Sequence, residues 1–408
     1  MSRLSLFLFN FSVVVLCVAS GCSPSTSENL NQPLFPIWEK GGMGYINSQG
    51  KVVIPPKFGA AREFNDGLAA VCKLGKWGFI NRSGIVNIPC RFSQALNFSE
   101  GYALVQETPN GEWSVLGKNG DLFSITRGSP DLGPHLSEYS GFHDGHARLK
   151  VTPDSGIHYA VFVDTAGKDS FANLNGVEFG YVSPFSEGLA ALSISIFERN
   201  DLRGGPQKHV LHFINTKGER VFTVPDAAGS RFSEGLAPVT VYREDSEKVG
   251  YVNPFGTFII PPQFKSGGLF KEGLAAVVME NGNCGYIGKD GKSAFQIDRP
   301  VSYCRDFSEG LASVYFDGKY GFIDHKGTWV ISPKFDVAEK FSEGLALVSH
   351  SEGNDSVFGY IDKKGKYVWS MGSNEIDNLK QYLKNVTPSQ GVGFYMSDFG
   401  KAIYMYVI

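Results

Sequence analysis

The sequence predicts an all-β protein of tandem units, a propeller-like ring of about eight units or an open β-solenoid, with a small C-terminal helix plus hairpin as cap. Three observations predict it. First, the phrase Phe-Ser-Glu-Gly-Leu-Ala returns with small changes from Phe64, Phe98, Phe142, Phe185, Phe232, Phe270, Phe307 and Phe341, the weakest copy being FHDGHARL at Phe142. Second, these phenylalanines stand 34, 44, 43, 47, 38, 37 and 34 residues apart, the length of one supersecondary unit too short to bury its own apolar face. Third, another phrase runs in step, as MGYIN ending at Asn47, WGFIN at Asn81, VGYVN at Asn253, CGYIG at Gly288, YGFID at Asp324 and FGYID at Asp362, with AVFVD at Asp164 and LHFIN at Asn215 lacking the glycine.

Each element of the unit has a physical reason. Aromatic and branched residues followed by a polar residue and, about three residues on, a glycine predict a strand entering a tight turn, where glycine accepts positive φ. An apolar pair with proline follows in VVIPPKF from Val52, NIPCRF from Asn87, FIIPPQF from Phe258 and VISPKF from Val330. Proline cannot donate to a central ladder, so this strand lies at an exposed edge or ends there. The Glu-Gly pair predicts a turn and Leu-Ala-x-Val the strand after it, so that Gly310 needs a special conformation or a close approach, Leu311 starts an inward-facing strand, and Glu309 faces water.

The termini differ from the body. Arg3, the apolar stretch from Leu4 to Ala19 and the small residues before Cys22 predict a secretory signal over 1–21, followed by a polar tether over 22–36. The repeat domain is expected over 37–371 and the cap over 372–408. In the cap, Ile376, Leu379, Leu383 and Val386 share one face of a helix over 374–386, and 392–396 and 402–407 read as two strands. A separate binding module is the alternative to a cap, and the Gly-Tyr-Ile-Asp at 359–362 reads as its beginning.

The combination of Trp/Tyr-Gly-Tyr/Phe-Ile-Asp, Val-Ile-x-Pro-x-Phe and Phe-Ser-Glu-Gly-Leu-Ala resembles the bacterial WG-repeat (KWG-like) family from about Met43 to Trp369. Trp113-Ser114-Val115-Leu116 and the stretch 121–140 depart from its pattern. The resemblance implies an all-β repeat protein, often exported, with a binding or scaffolding role and no common enzyme chemistry. The segment Val18-Ala19-Ser20-Gly21-Cys22 is similar to a bacterial lipoprotein signal, with Ala19 where leucine is usual; this implies lipidation of Cys22 and a membrane-anchored lipoprotein facing the periplasm or the cell surface, its membrane contact through the lipid anchor only.

Chemistry-bearing residues are few. With 38 Lys and Arg against 41 Asp and Glu, a net charge of −3 and no basic cluster, a nucleic-acid groove is not expected. In an oxidising compartment Cys72 is expected to pair with Cys90 and Cys284 with Cys304, four separately buried thiols being the alternative. Glu100, Glu187, Glu234, Glu272, Glu309 and Glu343 would rim a closed ring, but six identical acids do not make one acid and one base, so they read as turn residues. His143 and His146 flank Asp144 at a spacing open to a metal, with exposed histidines the simpler reading, and no metal, cofactor or catalytic residue is expected. Trp38, Trp77, Trp113, Trp329 and Trp369 would stack on sugars if exposed. The leading expectation is a binding or scaffold protein whose partner is another envelope protein. Carbohydrate or cell-wall binding, and an enzyme with a site in the irregular 121–158 region, are the alternatives.

Overall fold

The computed structural model describes residues 32–405 apart from 40, 110, 126–140, 152–158, 172–178, 197–207, 244–245, 296, 298–300, 302, 354, 387–393 and 397–402. The proposed signal and Cys22 lie outside the described residues. Nine antiparallel sheets follow one another as blades over 34–58, 60–92, 94–124, 142–164, 179–225, 227–264, 266–287, 303–335 and 337–371. Each strand pairs with the next in sequence; blades 1, 4 and 7 show three strands and the others four. The first strands converge on the axis, since Arg231 on blade 6 is felt electrostatically both by His143 on blade 4 and by Asp306 on blade 8.

The two repeated phrases meet across each blade boundary. The aromatic residue of Gly-Tyr-Ile packs on the phenylalanine that opens Phe-Ser-Glu-Gly in the next blade, as in Tyr45–Phe64, Phe79–Phe98, Tyr251–Phe270, Tyr286–Phe307 and Phe322–Phe341, with centroids 4.7–5.0 Å apart. Such pairs add about 0.5–1.5 kcal/mol beyond their buried area. Where the residue is tyrosine, its buried hydroxyl donates to a carbonyl two residues before that phenylalanine: Arg62 O at 2.7 Å, Gly268 O at 3.0 Å and Arg305 O at 2.7 Å. One blade alone would leave both partners exposed, which is why the unit folds only in an array.

The ring is closed. Tyr360 on blade 9 makes the same contact with blade 1, packing on Phe35 at 5.4 Å and donating to Pro36 O at 3.1 Å, among Ile37, Ile46 and Leu345. Nine blades replace the expected eight because blade 1 carries no Phe-Ser-Glu-Gly. Its ladder pairs Leu34 with Asn47 as blade 2 pairs Leu68 with Asn81, so Gln32 and Pro33 stand where the other blades have the acid and the glycine. Gly359–Asp362 does not begin the cap; it belongs to the third strand of blade 9, Asp355–Ile361, and its end.

The glycine after the Trp/Tyr position is set by the outermost strand. In blades 1, 2, 6 and 8 the ladder slips opposite this glycine, at the proline segment, and the outer backbone crosses over it. A Cβ on Gly44, Gly78, Gly250 or Gly321 would lie 2.5–2.6 Å from a carbonyl oxygen or amide nitrogen of that strand. The prolines thus occupy the sheet edge, as expected, where their missing N–H costs nothing.

The helix Ser373–Val386 follows blade 9 and sets Ile376 and Leu379 among Trp38, Met43, Phe358 and Met371 at the junction of blades 9 and 1. The strands Phe394–Met396 and Ile403–Met405 pair as a hairpin. Among the described residues no helix is long and apolar enough to cross a membrane.

Candidate functional site

The turn acids are the most repeated polar side chains, and they sit at one end of the ring. Asp66, Glu100, Asp144, Glu187, Glu234, Glu272, Glu309 and Glu343 have φ of 50–56°, and the glycines after them 78–94°. Two successive left-handed residues make the two-residue hairpin whose twist matches the strands, and its first position favours Asn or Asp over Glu. Glutamate and aspartate alike serve here as a link to the next blade. Seven of the eight carboxylates accept the backbone N–H of the equivalent glycine one blade on: Gly101 to Asp66 at 2.6 Å, Gly145 to Glu100 at 2.8 Å, Gly188 to Asp144 at 2.8 Å, then Gly235 to Glu187, Gly273 to Glu234, Gly310 to Glu272 and Gly344 to Glu309, each at 3.0 Å.

A lysine or a histidine just after the third strand of that next blade meets several acids: Lys118 lies 2.9 Å from Asp66, Lys289 3.2 Å from Glu234, His325 Nε2 2.9 Å from Glu272 and Lys363 3.2 Å from Glu309. The hydrogen bond from Lys118 holds the Asp66 carboxyl below its usual range. For Glu234, burial pushes upward, but Lys289 and the Gly273 N–H together leave it lowered. The neighbouring serine adds a second link, Ser99, Ser233 and Ser308 donating to the carbonyls of Phe142, Phe270 and Phe341 at 2.6–2.7 Å. Glu309 therefore does not simply face water. At blade 1 the chain of links changes, because Pro33 has no N–H; Arg82 instead donates to Gln32 O at 2.7 Å, lies 3.8 Å from Glu343 and stacks over Phe64.

The axial channel carries opposed charges. Desolvation by the crowded inner strands raises the carboxyl of Asp306 and also that of Glu63, although the Glu63 side chain itself remains open to water, with Lys340 opposing the shift in both and Lys271 and Arg231 also in Asp306. No cluster of three metal-type ligands forms among the described residues. His143 and His146 face each other across the Asp144-Gly145 turn and are half-buried, not exposed; His146 Nδ1 lies 2.9 Å from Ser170 Oγ and its ring packs on Phe171 and Phe185. Burial lowers the pKa of both. Much of the irregular region, 126–140 and 152–158, lies outside the described residues.

Cys284 and Cys304 are bridged, with Cα atoms 6.1 Å apart, and the bridge joins blade 7 to blade 8. Cys72 and Cys90 are not joined by a disulfide, against expectation. They occupy the second and fourth strands of blade 2 with the third between them, and they pack into cores on opposite faces of the sheet. Cys90 crosses over Gly78 and sets its Sγ 3.9 Å from Val71 O, so the two are close along the chain of strands, and it is the opposite facing of their side chains that keeps the sulfurs apart. Trp38, Trp77 and Trp113 are buried, and Trp329 and Trp369 are half-buried against core clusters, so none of the five is a freely exposed stacking platform.

Sequence reasoning missed Gln32 and Pro33. The available signal was spacing: Leu30 precedes Phe64 by the same 34 residues that separate Phe64 from Phe98.

A family model described as WG containing repeat matches residues 43–77, 77–113, 250–284, 301–320 and 320–352. No curated protein matches the chain. Solved structures overlap it loosely. Apo AztD from Citrobacter koseri is 12% identical, with 83% of this chain and 94% of that one covered and a TM-score of 0.37. BamB from Moraxella catarrhalis is 11% identical, with 81% and 98% covered and a TM-score of 0.35. By its own sheets the chain is, among the described residues, an all-β propeller of nine blades, and five of its stretches match the WG containing repeat.

Proposed function

We propose that the chain is a binding and scaffold protein of the bacterial envelope, exported by the 1–21 signal, anchored through lipid on Cys22, and working through contact with another protein. The carrying observation is that the repeated acids are engaged in links between blades, so they serve the frame. What varies from blade to blade is the turns at the two ends, some of which display apolar residues: Leu74 between the second and third strands of blade 2 is 96% exposed, and Phe255 after the third strand of blade 6 is 86% exposed. Isolated apolar tips on a rigid ring suit protein contact.

Photo-crosslinking residues at 74 and 255 of the full chain in native membranes test the reading. One discrete protein adduct, obtained from one position in preference to the other, is expected; absence of any protein adduct from both defeats the scaffold reading. Cys22→Ala tests the anchor separately. The variant is expected to leave the membrane fraction with its melting curve unchanged, and retention of lipid and membrane association by Cys22→Ala would end the lipoprotein reading.

A further inference from the structure

Blades 2 and 8 carry the same arginine in the same setting. Arg62 and Arg305 each stand two residues before the phenylalanine that opens the turn, Phe64 and Phe307. In both, the backbone carbonyl accepts the tyrosine hydroxyl of the preceding blade, from Tyr45 and from Tyr286, at 2.7 Å. In both, the guanidinium lies over the aromatic ring that precedes the glycine of the third strand, 5.1 Å from Trp77 and 5.8 Å from Tyr320. A guanidinium stacked by its face keeps its N–H groups, which point outward in its plane, for an acceptor at its edge.

In blade 8 that acceptor comes from blade 9. Arg305 Nη1 donates to Glu339 Oε2 at 2.6 Å, and Lys319 Nζ, on the residue before Tyr320, donates to Asp336 Oδ1 at 2.5 Å. Blade 2 has both cations, Arg62 and Lys76, but blade 3 has neither acid. Leu96 stands where Glu339 does, two residues before Phe98, and Ser93 stands where Asp336 does, the Ser93 N–H donating to Gln106 O as the Asp336 N–H donates to Ser349 O.

Among the described residues no carboxylate pairs with Arg62, whose side chain is half-buried and whose Nε has no hydrogen-bond partner. Desolvation, with no neighbouring charge to offset it, lowers its pKa to about 10 and leaves it charged at neutral pH. The stack on Trp77 does not replace the missing acid, since Arg305 has both the stack and the acid. A desolvated guanidinium without a counter-charge is costly, and a carboxylate that reaches its edge gains charge-assisted hydrogen bonds.

We infer that Arg62 is a binding site for the carboxylate of a ligand that enters the junction of blades 2 and 3, in the place that Glu339 fills for Arg305. Lys76 adds positive charge to the junction. The site does not rest on the protein contact proposed above. The carboxylate of a small organic acid and that of a peptide terminus share this chemistry.

Isothermal titration of the full chain at low ionic strength with succinate and with acetyl-trialanine, each beside its neutral amide, tests the site and tells the two sources apart. At least one of the acids is expected to bind with a dissociation constant below about 1 mM, and its amide about tenfold or more weakly. Arg62→Gln is expected to weaken the binding of that acid about tenfold or more. Arg62→Lys keeps the charge and loses the fork, so it is expected to weaken binding about threefold or more and serves if Arg62→Gln does not fold. Failure of both acids to bind, equal binding of an acid and its amide, or unchanged affinity in either variant when folded, overturns the assignment.

Discussion

Glu309 and Gly310 show how much one turn decides. The glycine lies at φ +85° with nothing within 4 Å of a Cβ built on it, so conformation and not crowding requires it. A β-branched side chain there meets backbone strain of about 1–3 kcal/mol. The Glu309 carboxylate accepts the Gly344 N–H and pairs with Lys363. Glu309→Gln keeps an acceptor oxygen and is expected to cost about 0.5 kcal/mol, whereas Glu309→Ala removes both contacts and is expected to cost about 1–2 kcal/mol, with Gly310→Val at least as damaging. Urea unfolding of the three variants checks the order, and equal midpoints for Gln and Ala would show that the link to blade 9 contributes nothing. The same chemistry sets the acid limit. Asp66 and Glu234 have lowered pKa values in the fold, so their contribution is present above the unfolded range near 4 and is lost as pH falls through the folded values. Glu63 has the opposite sign: its raised pKa means that its ionisation opposes folding as pH rises above about 4. Glu63→Gln is therefore expected to melt higher than the parent at pH 7 and at the same temperature once the parent carboxyl is protonated. Melting curves from pH 7 to 3 test this, and a constant difference would contradict it.

At the level of strands, the glycine of the third strand offers a paired test. In blade 8 a Cβ on Gly321 would lie 2.6 Å from Ile331 O and 2.7 Å from Pro333 N, both rigid backbone, while in blade 7 a Cβ on Gly285 meets only the Met279 methyl at 3.2 Å. Gly321→Ala is expected to destabilise by about 1–3 kcal/mol and Gly285→Ala by far less, because only the first must displace a strand. Thermal melts of the two variants decide it; similar losses would mean that the crossing strand is not what selects glycine. These elements were largely legible, because strand period, turn glycine and edge proline are local properties. The glycine's cause was not, since it depends on a ladder slip in another strand. The cysteines divide the same way: 18 and 20 residues of separation look alike in sequence, yet one pair spans a blade junction and the other lies on opposite faces of one sheet. Of the candidate site, the residue types of the acids were visible and their partners, 35 to 48 residues away, were not.

For the whole ring, Arg82 makes the link that Pro33 cannot, touching Gln32, Glu343 and Phe64 at once. Arg82→Ala is expected to raise amide exchange in blades 9, 1 and 2 while leaving blades 5 and 6 unchanged. Exchange that rises uniformly, or nowhere, would contradict a seam at blade 1. Scattering from the intact chain should give a radius of gyration of roughly 22 Å, as for a compact body of this length, and a clearly larger value would point to an open stack.

Among the described residues no strand is exchanged between the two ends of the ring, for blade 9 draws its four strands from 337–371 and blade 1 draws its three from 34–58. The molecule can therefore be assembled in the order of its sequence, each blade settling on its predecessor, with the final closure left to side chains. That closure joins residues 324 apart, Pro36 and Tyr360, where ordinary links between blades join residues about 40 apart. An eightfold longer loop costs only about 2 kcal/mol more in chain entropy, since the cost grows with the logarithm of length. Burial of Phe35, Ile37, Leu345 and Tyr360 at the seam, each contributing roughly 1.5–3 kcal/mol, outweighs it. The first-made blade thus waits with an apolar flank uncovered until the last arrives, and protection of that flank in the interval is the step on which the yield of closed rings depends.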